Sequence, residues 1–127
     1  MIGGFFAFKG HKMPGNPIGQ FGPATIVTDG ATQVFDCSTG GVFQWTLGAN
    51  RTMTAPTGQV PEQLLEIRLI QDATGSRLVT WPAVIVWPAA TAPTLTPTAG
   101  RMDIVFGTWD AVNSRWRMRA SALNYVV

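Results

Sequence analysis

Two Trp-Pro pairs, Trp81-Pro82 and Trp87-Pro88, enclose the apolar segment Ala83-Val84-Ile85-Val86. Proline has no N–H to give to a sheet ladder, and it biases the residue before it to extended backbone. A strand broken twice in this way cannot run through the middle of a flat sheet. It suits a corner where the chain leaves one sheet and joins another. Just upstream, Asp72-Ala73-Thr74-Gly75-Ser76 combines an Asx-type turn former with a glycine that tolerates positive φ. Residues 77–80 then read as a strand ending at the first Trp-Pro pair.

The same texture of short strands and turns extends from residue 24 to the end. Residues 24–27 and 32–36 read as strands on either side of Asp29-Gly30, a tight-turn pair. In residues 42–47, Phe43, Trp45 and Leu47 alternate onto one face. Residues 51–55 form a strand ended by Pro56. Residues 63–71 place Leu65, Ile67 and Leu69 on one face and Leu64, Glu66, Arg68 and Ile70 on the other. A helix there would carry Arg68 and Gln71 on its apolar stripe, so the segment reads as a strand. Residues 94–98 read as a short, proline-limited edge piece. Residues 101–109 and 114–120 read as a hairpin around Asp110-Ala111-Val112-Asn113, and the apolar tail 123–127 as a possible last strand. Strands at this spacing predict an all-β chain with a single β-sandwich or jelly-roll-like domain over 24–127.

Residues 1–23 differ. Six glycines and three prolines interrupt any periodicity, yet the stretch carries Phe5, Phe6, Phe8, Met13, Ile18 and Phe21. Disordered arms are usually polar and charged. The expectation is an extended arm that anchors on a neighbouring subunit through Phe5, Phe6, Phe8, Met13 and Phe21; the alternative is an arm folded back on its own domain.

Charged residues make up only 13% of the chain, against about 25% in an average domain, so either much of the surface meets other protein, or Thr, Ser, Gln and Asn keep it soluble, or both. The net charge of +2 is too small to point to nucleic acid by field strength. A single cysteine, Cys37, forbids an internal disulfide. No basic segment followed by an apolar run marks a signal peptide, and no apolar stretch approaches the ~20 residues of a membrane helix. The expectation is a protein made in a cytoplasm, with no membrane partner.

Two sets of residues carry a family resemblance. The first is Asp36-Cys37-Ser38-Thr39-Gly40 followed by Thr46-Leu47-Gly48-Ala49-Asn50-Arg51-Thr52-Met53-Thr54-Ala55-Pro56. The second is Gln71-Asp72-Ala73-Thr74-Gly75-Ser76-Arg77, Thr80-Trp81-Pro82, Trp87, Thr91-Ala92-Pro93-Thr94-Leu95 and Thr98-Ala99-Gly100. Together they resemble a β module of tailed-bacteriophage virion structural proteins. The resemblance implies a trimeric β-sandwich or jelly-roll unit in a virion. Because the module is preceded only by the Phe-Gly arm, the chain looks more like a capsid decoration (cement) protein than a fibre end. Such a protein would bind the outer surface of the major capsid protein shell and copies of itself. The alternative the resemblance carries is a tail-fibre or spike module that recognises host glycans.

Catalytic chemistry finds little support. His11 is the one histidine, which excludes a His-cluster metal site. Cys37 lacks a nearby base and reads as a small buried residue. The aspartates Asp29, Asp36, Asp72, Asp103 and Asp110 read mostly as turn residues rather than a hydrolytic pair. The expectation is a non-enzyme without cofactor or metal. Two features remain as binding candidates. Arg115, Arg117 and Arg119 share one strand face. They are either solvated, paired with Glu62, Glu66 and Asp103, or matched to an acidic patch on a partner, with nucleic acid the weakest reading. Of the five tryptophans, alternation sends Trp45 and Trp116 to the core. Trp81, Trp87 and Trp109 are left as core or interface anchors or, under the alternative, as a glycan platform.

Overall fold

A computed structural model describes residues 23–127. Nine strands follow in order: β1 (Thr25–Ile26), β2 (Thr32–Gln33), β3 (Val42–Leu47), β4 (Arg51–Met53), β5 (Leu64–Gln71), β6 (Val79–Thr80), β7 (Ile85–Val86), β8 (Arg101–Asp110) and β9 (Arg115–Val126). A single 3-10 turn, Pro88–Ala90, lies between β7 and β8. The expected arm residues Phe5, Phe6, Phe8, Met13 and Phe21 lie outside the described residues.

The strands sort into a six-stranded sheet, β1-β3-β5-β8-β9-β7, and a three-stranded sheet, β2-β4-β6. Up to β7 the chain alternates between them. In the large sheet β1, β3 and β5 are laid parallel side by side, Thr25 pairing with Phe43 and Phe43 with Ile67, whereas β7 joins the far edge beside β9. The small sheet repeats the rule, with Thr32 beside Thr52 and Thr52 beside Thr80. The first two-thirds of the domain is therefore a short parallel coil. Only β8 runs against the rest of the large sheet: it pairs antiparallel with β5 on one side and with β9 on the other, while β9 runs parallel to β7. The all-β expectation holds. The jelly-roll-like connectivity does not, because a jelly roll pairs its strands antiparallel and β1, β3 and β5 do not.

The core lies where the inward faces meet. Phe43, Trp45 and Leu47 of β3, Leu65, Ile67 and Leu69 of β5, Val105 of β8 and Trp116 and Met118 of β9 point into it. Phe35 and Met53 join them from the small-sheet side. Phe35 sits 5.0 Å from the ring of Phe43 and 5.5 Å from that of Trp45. Each fully buried large apolar side chain contributes on the order of 2 kcal/mol.

The corners of the coil are stacked and stitched. Asp29, after β1, accepts from the Trp45 Nε1 at 2.9 Å, the Gly48 amide at 3.1 Å and the Arg51 guanidinium. Asn50, at the next corner, accepts the Leu78 amide at 3.0 Å from the corner above it. There the buried Gln71 holds both main-chain groups of Arg77, while Asp72 caps the Thr74 and Gly75 amides and pairs with the Arg77 side chain. Gly75, at φ +78°, is required: a Cβ would come within 2.5 Å of the Pro97 carbonyl oxygen.

Both Trp-Pro pairs act as strand stops. β6 ends at Thr80 and β7 at Val86, and between them the chain passes from the small sheet to the large one. Two expectations need correction. Residues 94–98 form no strand; Pro93 and Pro97 remove donors, and the segment is held by the Thr96 amide and hydroxyl donating to the buried Asp103. The tail is not a separate strand either. β9 runs on to Val126 through two irregularities, at Ala120/Ala122 and Ala122/Tyr125, beside a positive-φ Asn124.

Candidate binding cleft and basic face

β9 alternates with a strict period of two: Trp116 and Met118 enter the core, while Arg115, Arg117 and Arg119 stand exposed on the outer face of the large sheet. The hairpin register sets their neighbours. Arg119 lies opposite Phe106 and Arg117 opposite Thr108. The Arg119 guanidinium rests 5.5 Å from the centre of the Phe106 ring, a cation–π contact that orients it. Arg117 donates to Asp110 at 2.8 Å, and Arg115 to the Ser114 carbonyl at 3.1 Å.

The expected pairing of these arginines with Glu62, Glu66 and Asp103 is not what forms. Glu66 takes Arg68 at 2.7 Å on its own strand. Asp103 faces inward, and besides Thr96 it accepts the Asn124 amide at 2.9 Å. Among the described residues, Arg117 finds Asp110, and Arg115 and Arg119 form no ion pair.

β7 lies parallel beside β9, with Val86 opposite Arg117. The chain leaves β7 through Trp87 and Pro88, and this places an aromatic wall against the arginine row. Val86, Trp87, Pro88, Arg117, Met118 and Arg119 line a shallow cleft of about 220 Å³. Trp81, from the first Trp-Pro pair, meets Trp87 edge to face at 5.1 Å and fixes the wall from behind. Two separate candidates of the sequence thus meet: Trp87 and the pair Arg117 and Arg119 share one cleft. Trp81 supports it without lining it. Trp109 is elsewhere, tilted against the buried Trp116 at 5.5 Å. All three tryptophans are half-buried and pack against the core.

Phe106, Val86 and Met118 escaped the sequence reading as site residues. A hairpin loop read as residues 110–113 shifts the β8–β9 pairing by two positions. That preserves the faces but sets Phe106 opposite Arg117 rather than Arg119.

The remaining titratable groups serve as braces. Burial raises the Asp29 pKa, but hydrogen bonds from Arg51, Trp45 and Gly48 outweigh it and leave the carboxyl below its ordinary value. Asp72 is drawn down to about 2 by the Arg77 side chain and the Gly75 amide. Asp110 is drawn down to about 2 by Asn113, with Arg117 adding to it. The Ser38 hydroxyl and amide lower Asp36. Cys37 is 4% exposed, and burial pushes its thiol up to about 12, which removes it as a nucleophile at neutral pH. No three His, Cys, Asp or Glu side chains converge to hold a metal ion among the described residues, and no described helix is long and apolar enough to cross a membrane.

No family model, curated protein or solved structure matches the chain.

Proposed function

We propose that this chain is a non-catalytic virion structural protein of the tailed-bacteriophage type, and that it acts as a capsid decoration protein docked on the outside of the shell. One observation carries the reading. The outer face of the six-stranded sheet combines apolar side chains, most of them half-buried, with an arginine row. Ile26, Met102, Ile104 and Phe106 lie on that face, Ile26 being 75% exposed, beside Arg68, Arg115, Arg117 and Arg119. Arginine and aromatic residues are the side chains that protein interfaces favour. The two-sheet sandwich, the trimer and the arm reaching a neighbour belong to this same reading.

Docking is tested by mixing the full-length chain with shells that lack it and sedimenting them. Arg115→Glu with Arg119→Glu should abolish co-sedimentation, while Arg101→Glu should leave it intact. Equal binding by all three would refute the basic face as the docking surface.

A second reading is favoured by a specific feature. Trp87 and two arginines in one cleft suit a tail-fibre or spike tip that recognises host surface glycans.

A further inference from the structure

Resting on the first reading, in which copies associate through their arms, we propose that the cleft at Val86, Trp87 and Pro88 receives a phenylalanine from residues 1–22 of a second copy of this chain. The lining fits an apolar guest. Val86, Trp87, Pro88 and Met118 line it, and Trp81 holds the Trp87 indole edge to face. Arg117 and Arg119 line it as well, but their guanidinium contacts lie on the β8 side of β9, to Asp110 and over Phe106. At about 220 Å³ the space lies below the range of pockets that enclose drug-sized molecules, and it suits one aromatic side chain.

Composition and topology name the guest. Of the seven phenylalanines, Phe35 and Phe43 are buried in the core and Phe106 lies under Arg119. The other four, Phe5, Phe6, Phe8 and Phe21, all fall within residues 1–22. The chain enters the domain at β1, one edge of the six-stranded sheet, and the cleft stands at β7, the opposite edge. Its own arm would have to cross five strand spacings, about 24 Å. Residues 1–22 are long enough for that, but the charges oppose it. They carry Lys9 and Lys12 and no acidic residue, and the outer face along the way presents Arg68, Arg117 and Arg119. A neighbour whose β1 edge stands beside this β7 edge delivers its arm without the crossing. Such a head-to-tail contact closes into a ring, as the trimer of that reading requires.

The test places the photo-crosslinker benzoylphenylalanine in the full chain at the position of Phe5, Phe6, Phe8 or Phe21, one at a time. Heavy-isotope and light-isotope chains are unfolded, mixed equally and refolded together, so that neighbours are unlike as often as alike. Crosslinked tryptic fragments are mapped by mass spectrometry. At least one position should crosslink to residues 86–88 within fragment 78–101, in unlike pairs as often as in like ones. Pro88→Glu, at an exposed residue, should lower that yield about tenfold or more, because an anchor loses its pocket. Val112→Glu, in the hairpin loop, should leave it unchanged. Near-UV circular dichroism checks that each variant is folded. Crosslinks to 86–88 between like isotopes alone would overturn the neighbour and give the cleft to the chain's own arm. Unlike-isotope crosslinks elsewhere, indifferent to Pro88→Glu, would overturn the cleft and leave the associating arm standing. Absence of unlike-isotope crosslinks from all four positions would overturn the proposal, and a monomeric mass in analytical ultracentrifugation would overturn the trimer with it.

Discussion

Gln71 and Arg77 form a closed pair: the Arg77 amide donates to the Gln71 Oε1 at 2.8 Å, and the Gln71 Nε2 donates back to the Arg77 carbonyl at 3.1 Å. With Gln71 only 3% exposed, this side chain does inside the core what a neighbouring strand would otherwise do for Arg77. Gln71→Leu keeps the volume and removes both bonds, leaving an amide and a carbonyl without partners. Thermal and urea unfolding should show a loss of about 2–4 kcal/mol. A loss under about 0.5 kcal/mol would mean that the corner closes without Gln71.

Gly107 sits in the middle of β8, between Leu65 and Met118 of the flanking strands. A Cβ placed there would overlap the Arg117 carbonyl oxygen, which is backbone and cannot swing aside. Gly107→Ala should destabilise the domain by about 3 kcal/mol and broaden the amide signals of β9 in NMR spectra. Unchanged stability would contradict the close strand contact.

Asp72 and Asp110 both titrate at about 2 in the folded chain, below the ordinary carboxylate value near 4. A lowered folded pKa means that the unfolded chain binds protons first as the pH falls. Their stabilisation is complete above about pH 5 and is lost between about pH 4 and pH 2. The urea midpoint should drop through that window, and Asp72→Asn should flatten the drop while lowering stability at pH 7. A midpoint that stays level down to pH 2 would contradict the bracing role.

Much of this fold was legible in local chemistry. The Trp-Pro pairs stopped β6 and β7 where proline chemistry requires, and they marked the crossing between sheets. Alternation placed Trp45 and Trp116 in the core, where both are fully buried. The parallel coil was not legible, because alternation reports which face a residue takes and says nothing of which strand lies beside it. Thr32, Thr52 and Thr80 become neighbours only once the chain has wound around the core. Local turn formation describes Asp36 and Asp72. Asp29 and Asp103 work across many residues instead, to Arg51 and Asn124. The cleft depends on the same long-range information. Trp87 and Arg119 are distant in sequence and meet only because β7 lies parallel beside β9.

Under the proposed function this chain is a structural part of a virion. Quantitative mass spectrometry of purified particles, with the major coat protein as internal standard, tests it most directly. The decoration reading predicts a copy number comparable to that of the coat protein, and a few copies per particle would move the chain to a fibre or spike. Absence of the chain from the particle would contradict the account.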